Sequence, residues 1–139
     1  MVALQPFDSK EFYSRQVVLS ELGVNGQKKL HRSKVVVVGL GGLGSASSLY
    51  LALAGVGYLR LVDQDTVEIN NLHRQVLYDL DDLRYPKVEA AAKKIQQTNP
   101  DVKVESIPEN VRESNVEEIV KGMDCVVDGL DNMRTRYLL

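Results

Sequence analysis

The period of the apolar positions changes several times along the chain, and each change predicts an element. Val35 to Val38 are four valines with no polar residue between them. So short and continuous a run predicts a central strand covered on both faces. Residues 43–54 place Ala46, Leu49, Tyr50 and Leu53 at helical spacing, which predicts that this face turns inward. Residues 58–62 form a second strand closed by Asp63. After Pro86, Val88, Ala91, Ala92 and Ile95 mark one face of a helix that Asn99-Pro100 ends. Residues 102–107 alternate as a third strand, 115–121 form a short helix and 125–127 a fourth strand. A further helix begins at 133 and runs to the last residue. Ahead of the valines, Asp8 or Ser9 caps a helix over about 9–22, with Phe12, Leu19 and Leu22 on one face and Gly23 stopping it. A second short helix over 26–32 turns Leu30 inward. Residues 65–85 lack a clear period and read as loop with short helical turns. A loop this long in a small domain is more often functional than idle.

Strands alternating with helices at this spacing predict an α/β fold, a doubly wound Rossmann-like parallel sheet. Residues 1–33 form an N-terminal helical segment, and 34–139 the sheet domain. Ligands of such sheets bind beyond the carboxyl ends of the strands, where the strand order reverses. Residues 35–59 carry no charge, which is long enough to suggest a membrane span. Six of them are glycine, and the turn chemistry breaks the run into strand, turn and helix.

Composition narrows the classes. The 139 residues are 44% hydrophobic and 26% charged, ordinary values for a chain that builds a core. A net charge of -2 argues against a basic nucleic-acid face. The N-terminus lacks the basic start and apolar stretch of a signal peptide. Cys125 is the single cysteine, so no intrachain disulfide or cysteine-based zinc site can form, and a reducing, cytoplasmic setting is expected. Because Cys125 starts an apolar strand, a buried inert thiol is the expectation. His31 reads as a surface histidine, and His73 receives no role.

The chemistry gathers where the valines end. Gly39, Gly41 and Gly44 fit G-x-G-x-x-G, which permits a sharp turn, close phosphate approach and tight helix packing. The helix that follows directs free N–H groups and its dipole at an anion. Asp63 stands 19 residues after Gly44, about where an acidic residue meets a ribose. Alone, these features serve an NAD- or FAD-binding redox domain equally well. Arg74 and Lys87 add cations that a triphosphate undergoing displacement requires and a bound pyrophosphate does not. Asp131 can hold Mg²⁺, which takes one or two carboxylates plus phosphate oxygens. The plainer readings are a strand-ending Asp63, surface charges at Arg15, Arg74 and Lys87, a helix-capping Asp131 and a solvated acidic run at Asp79, Asp81 and Asp82.

The ordered set Tyr13-Ser14-Arg15-Gln16, Gly39-Leu40-Gly41-Gly42-Leu43-Gly44, Asp63-Gln64-Asp65, Asn71-Leu72-His73-Arg74-Gln75, Pro86-Lys87 and Asp131-Asn132 resembles the E1-like activating enzymes of the ThiF/MoeB/HesA type. The resemblance runs from about Ser9 to the last residue. It implies an ATP-dependent adenylyltransferase. Such an enzyme activates the C-terminal glycine carboxylate of a ubiquitin-like sulfur carrier ending in Gly-Gly and releases pyrophosphate. It further implies that Gly42 approaches the phosphates, Asp63 holds the ribose, and Asn71, Arg74 and Lys87 contact the phosphates. Asp131 would bind Mg²⁺ and Asn132 lie beside the nucleotide, with Asp65 and the remaining glycines also at the nucleotide. Arg15 would reach into a partner subunit's site, which implies a homodimer. A related dehydratase of a modified tRNA base shares the adenylation half and stands as an alternative. Members of the family normally continue past the position of Leu139 with two C-x-x-C pairs for zinc, further strands and a cysteine. A truncated chain is therefore expected, with 125–127 as an unpaired edge that favours self-association.

Overall fold

The valine run becomes the centre of a parallel sheet because every residue in it is apolar and β-branched. In the computed structural model, which describes residues 6–139, the strands are β1 (Lys34–Val38), β2 (Tyr58–Val62), β3 (Lys103–Ile107) and β4 (Cys125–Asp128). Residues 1–5, the start of the expected N-terminal segment, lie outside the described residues. The strand order is β3-β2-β1-β4, with all three pairings parallel. Val36 pairs with Arg60 on one side and Val126 on the other. The chain moves outward from β1 through β2 to β3, then returns to the other side of β1. The order therefore reverses between β1 and β4, as a doubly wound sheet requires.

The helices are α1 (Ser9–Phe12), α2 (Ser14–Val17), α3 (Gly23–Arg32), α4 (Gly42–Ala54), α5 (Lys87–Thr98), α6 (Val116–Val120) and α7 (Met133–Arg136). Val35 and Val37 join a cluster with Leu40, Ala52, Leu59, Leu61, Val88, Ala91 and Ile95. Val36 and Val38 join a second cluster with Val62, Val111 and Ile119. Both faces of β1 are thus covered, as the unbroken valine run predicts. The uncharged stretch 35–59 resolves into strand, turn and helix, and no helix among the described residues is long and apolar enough to cross a membrane.

Three expectations need correction. The single helix over 9–22 is two short ones, because Tyr13 leaves the helical path between them; Asp8 caps the first by accepting from Lys10 and Glu11 N–H. Phe12 and Leu19 are exposed, and Gly23, at φ 58°, closes a turn on Leu19 O and begins α3, six residues after α2 has ended. Tyr13 is the buried member of this segment. Its hydroxyl accepts from Asn99 Nδ2 at 2.6 Å, while Asn99 also donates to Ala52 O and Gln16 Nε2 to Ala54 O. Tyr13 and Gln16 thus bind the N-terminal segment to the carbonyl end of α4.

The inward face of α4 differs from the one expected, although Leu49 packs partly against the larger cluster. Gly44, Ser45, Ser48 and Ala52 are buried, whereas Tyr50 is 70% exposed. Close packing at the start of this helix admits only small residues: a Cβ on Gly44 would stand 1.7 Å from Gly39 O. Size, and not hydrophobicity, selects the buried face there. The third correction is Cys125, which is exposed. β4 pairs on one side only among the described residues, so the apolar run around Cys125 is not enclosed.

Candidate functional site

Two kinds of glycine build the turn after β1. Gly39 adopts φ +84°, and its carbonyl lies so close to Gly44 and Gly129 that a Cβ on either would clash with it. These glycines fasten the ends of β1 and β4 to the start of α4. Gly41 and Gly42 are different. A Cβ there would meet nothing nearer than Gln75 Nε2 at 3.9 Å or Arg74 Cδ at 3.8 Å. The protein does not need glycine at those two positions for its own packing. Their bareness leaves a cradle open to the cleft, beside the first turn of α4, which no side chain caps.

The turn is clamped through one residue. Leu40 N–H donates to Asp63 Oδ2 at 2.7 Å, and Leu40 C=O accepts from the Tyr78 hydroxyl at 2.9 Å. Asp63 Oδ1 also accepts from Asp65 N–H at 2.8 Å. Asp63 therefore joins the ends of β1 and β2 as well as lining the cleft. Burial, reinforced by the carboxylates of Asp63, Asp82 and Asp65, pushes the Tyr78 phenol well above its ordinary value, so it remains a donor.

The featureless stretch 65–85 is a closed loop. Lys87 N–H donates to Asp65 O, Val67 N–H to Tyr85 O and Arg84 N–H to Val67 O, which bring its two ends together. Two 3₁₀ turns, Ile69–Asn71 and Leu80–Asp82, lie within it. Leu77 and Tyr78 insert into the larger core cluster and anchor its middle. Asp82, expected in solvent, is buried because its carboxylate accepts from Asp79 N–H in a reciprocal cap.

A cleft of about 630 Å³ opens at the carboxyl ends of the strands, beside the point where the order reverses. Of the sequence-predicted residues, Gly39, Gly41, Gly42, Asp63, Asp65, Asn71, Arg74, Lys87, Asp131 and Asn132 all line it. Gly44 sits behind the wall as packing. Arg15 lies exposed on α2 and is not among the lining residues. Lys87 is buried, yet its ammonium reaches Asp65 Oδ2 at 3.2 Å. Arg74 Nη1 donates to Asn70 O at 2.9 Å and stands 2.9 Å from His73 Nε2. His73 thus touches a site cation. Asn71 accepts from Glu68 N–H at 2.9 Å, which holds the turn that carries Arg74. Asp131 is exposed, and it is Asn132, not Asp131, whose side chain caps α7 by accepting from Thr135 N–H.

Sequence reasoning missed Gln75, Glu109, Asn110, Val111 and Gly129 in the lining. Gln75 stands within a quoted motif, and the segment 109–111 follows the carboxyl end of β3, where the strand-end rule could have placed it. Tyr78 gave no signal, since nothing in its neighbourhood reveals a partner 38 residues away.

The arrangement has known counterparts. The chain is 52% identical over 127 residues to the SAMP-activating enzyme E1 of Haloferax volcanii, covering 91% of this chain and 47% of that protein. It is 48% identical to the sulfur carrier protein adenylyltransferase of Thermus thermophilus, with the same coverage of each. It spans about half the length of these relatives. The E. coli tRNA N6-threonylcarbamoyladenosine dehydratase TcdA, solved in complex with ATP, superposes with a TM-score of 0.89 at 28% identity, covering 98% of this chain and 56% of that one. Residues 13–139 match the ThiF family, and with the parallel sheet and the glycine-floored cleft this places the chain in that family.

Proposed function

We propose that the protein is an adenylyltransferase that uses ATP to activate the C-terminal glycine carboxylate of a small ubiquitin-like sulfur-carrier protein. The observation that carries this reading is the pairing of a bare glycine cradle with two convergent cations, Arg74 and Lys87, in one cleft. Such a site suits a phosphate chain that gains charge as it leaves. A carrier carboxylate oxygen attacks the α-phosphorus, the bond to the β-phosphate breaks, and pyrophosphate departs. The carboxylate is already a nucleophile, so no general base is required. The protein's task is to orient the two substrates and neutralise charge.

In this reading Gly41 and Gly42 admit the phosphates to the backbone, and Asp63 takes the ribose with the lone pairs that Leu40 and Asp65 leave free. Asn71 and Asn132 border the nucleotide. Lys87 exchanges Asp65 for phosphate, and Arg74 exchanges Asn70. Asp131 fits Mg²⁺. Mg²⁺ takes one or two carboxylates and completes its shell with phosphate oxygens and water. When bound, Mg²⁺ supplies further neutralisation of the phosphates. Arg15, away from its own cleft, serves the site of a second copy in a homodimer. It belongs to the N-terminal unit that ends at residue 33, and 34–139 is the adenylation domain of a cytoplasmic enzyme. In this reading structural zinc is expected only outside residues 1–139.

Identities of 48% and 52% to a sulfur-carrier adenylyltransferase and a SAMP-activating enzyme, against 28% to the tRNA dehydratase, favour a carrier protein over a tRNA base. ATP–pyrophosphate exchange, measured with and without a carrier ending in Gly-Gly, tests the reading. Carrier-dependent exchange is expected, and Asp131→Ala should lower it by roughly 100-fold. Exchange untouched by Asp131→Ala removes that residue from the mechanism. Micromolar NADH binding without ATP binding overturns the reading in favour of a redox domain.

A further inference from the structure

Gln75 is 3% exposed and lines the cleft. Among the described residues its Oε1 is the one buried side-chain polar atom without a hydrogen-bond partner. Its Nε2 faces the bare floor, being the nearest atom to a Cβ built on Gly41, at 3.9 Å. Its neighbours bond elsewhere. Asn71 bonds Asn70 and Glu68, Arg74 bonds Asn70, and Gln75 N–H donates to Asn71 O. The carboxamide is therefore held by its backbone and its packing, with its polar end left over. A buried carboxamide without a partner is destabilising, so a native structure that keeps one usually has a use for it.

We propose that Gln75 is a nucleotide-contacting residue whose carboxamide donates to a phosphate oxygen of ATP at the Gly41–Gly42 cradle. The carboxamide is neutral, so it adds a directed donor without adding to the charge of Arg74 and Lys87. A planar amide held by its packing fixes where one oxygen sits, as the point charge of Lys87 on its flexible stem does not. This inference rests on the ATP reading above.

Two variants separate a ligand contact from a packing role. Gln75→Met keeps the volume and removes the polar atoms. Gln75→Glu keeps the shape and places a carboxylate against the phosphates. ATP, tripolyphosphate and adenosine are titrated by calorimetry into the wild type and both variants, with thermal melts of each ligand-free protein. The expected result is ATP binding weakened about tenfold in Gln75→Met and more in Gln75→Glu. Tripolyphosphate should be weakened in parallel and adenosine left unchanged. The ligand-free Gln75→Met protein should melt at or above the wild-type temperature. ATP affinity within twofold of wild type in both variants overturns the assignment. Equal weakening of adenosine overturns it too, because the loss then comes from a deformed cleft. If wild type binds NADH and not ATP, the functional reading fails, and this inference with it.

Discussion

β1 and β4 are hydrogen-bonded neighbours with similar valine-rich sequences, yet Val36 and Val37 are fully buried while Val126 is 38% exposed. β1 lies between two strands and under apolar clusters on both faces. Among the described residues β4 has one neighbour, and of its side chains only Val127 packs against a cluster. Local sequence makes both segments strands. The number of neighbours decides which of them is core. The functional rim straddles this contrast, with the clamped glycine turn at the end of β1 and Asp131 and Asn132 beyond β4.

The largest expected effect lies where the two strands are joined. Gly44→Ala forces a methyl against Gly39 O and wedges α4 away from both strand ends. A loss above about 4 kcal/mol is expected, read as a missing cooperative melt by circular dichroism. Gly122→Ala is the control: nothing lies within 4 Å of a Cβ there, and φ of +74° alone costs about 1 kcal/mol. A well-folded Gly44→Ala would show that the turn is not the rigid joint described.

A smaller effect tests burial itself. Val37→Ala should lower urea stability by about 2 kcal/mol, and Val126→Ala by less than about 0.5 kcal/mol. Equal losses would mean that β4 is as enclosed as β1 in solution, for instance through self-association.

The smallest concerns the opposite edge. On β3, Glu105 accepts from the Tyr58 hydroxyl and from Arg60 Nε at 2.5 Å. Those hydrogen bonds, Tyr58 first, hold its carboxyl below the ordinary 4.5. A lowered carboxyl contributes stability above its unfolded value and loses it as pH falls through the folded one. Glu105→Gln should therefore flatten the decline in melting temperature on acidification below about pH 4.5 while costing well under ~1 kcal/mol at neutral pH. An unchanged acid slope would show that this edge is as loosely held as β4.

Much of the fold was legible because periodicity reports local geometry. The unbroken valines, the glycine spacing, Pro86 and Asn99-Pro100 each specify backbone that the structure adopts. Candidate residues such as Asp63, Arg74, Lys87 and Asp131 could be named because they stand in motifs of fixed spacing, and all four line the cleft. The inward face of α4 could not be read, since its selection depends on the distance to Gly39 O and not on hydrophobicity. Nor could the exposure of Cys125, which depends on how many strands flank β4.

The sequence by itself determined the elements, their order and the residue types at the rim, because these follow from local periodicity and turn chemistry. Tertiary structure alone decided that Asp63 and Tyr78 grip the N–H and the C=O of one residue, Leu40, that Lys87 is buried against Asp65, and that Gln75 Oε1 is left without a partner. Those outcomes depend on atoms brought together from distant parts of the chain, where a hydrogen bond is made or lost within a fraction of an ångström.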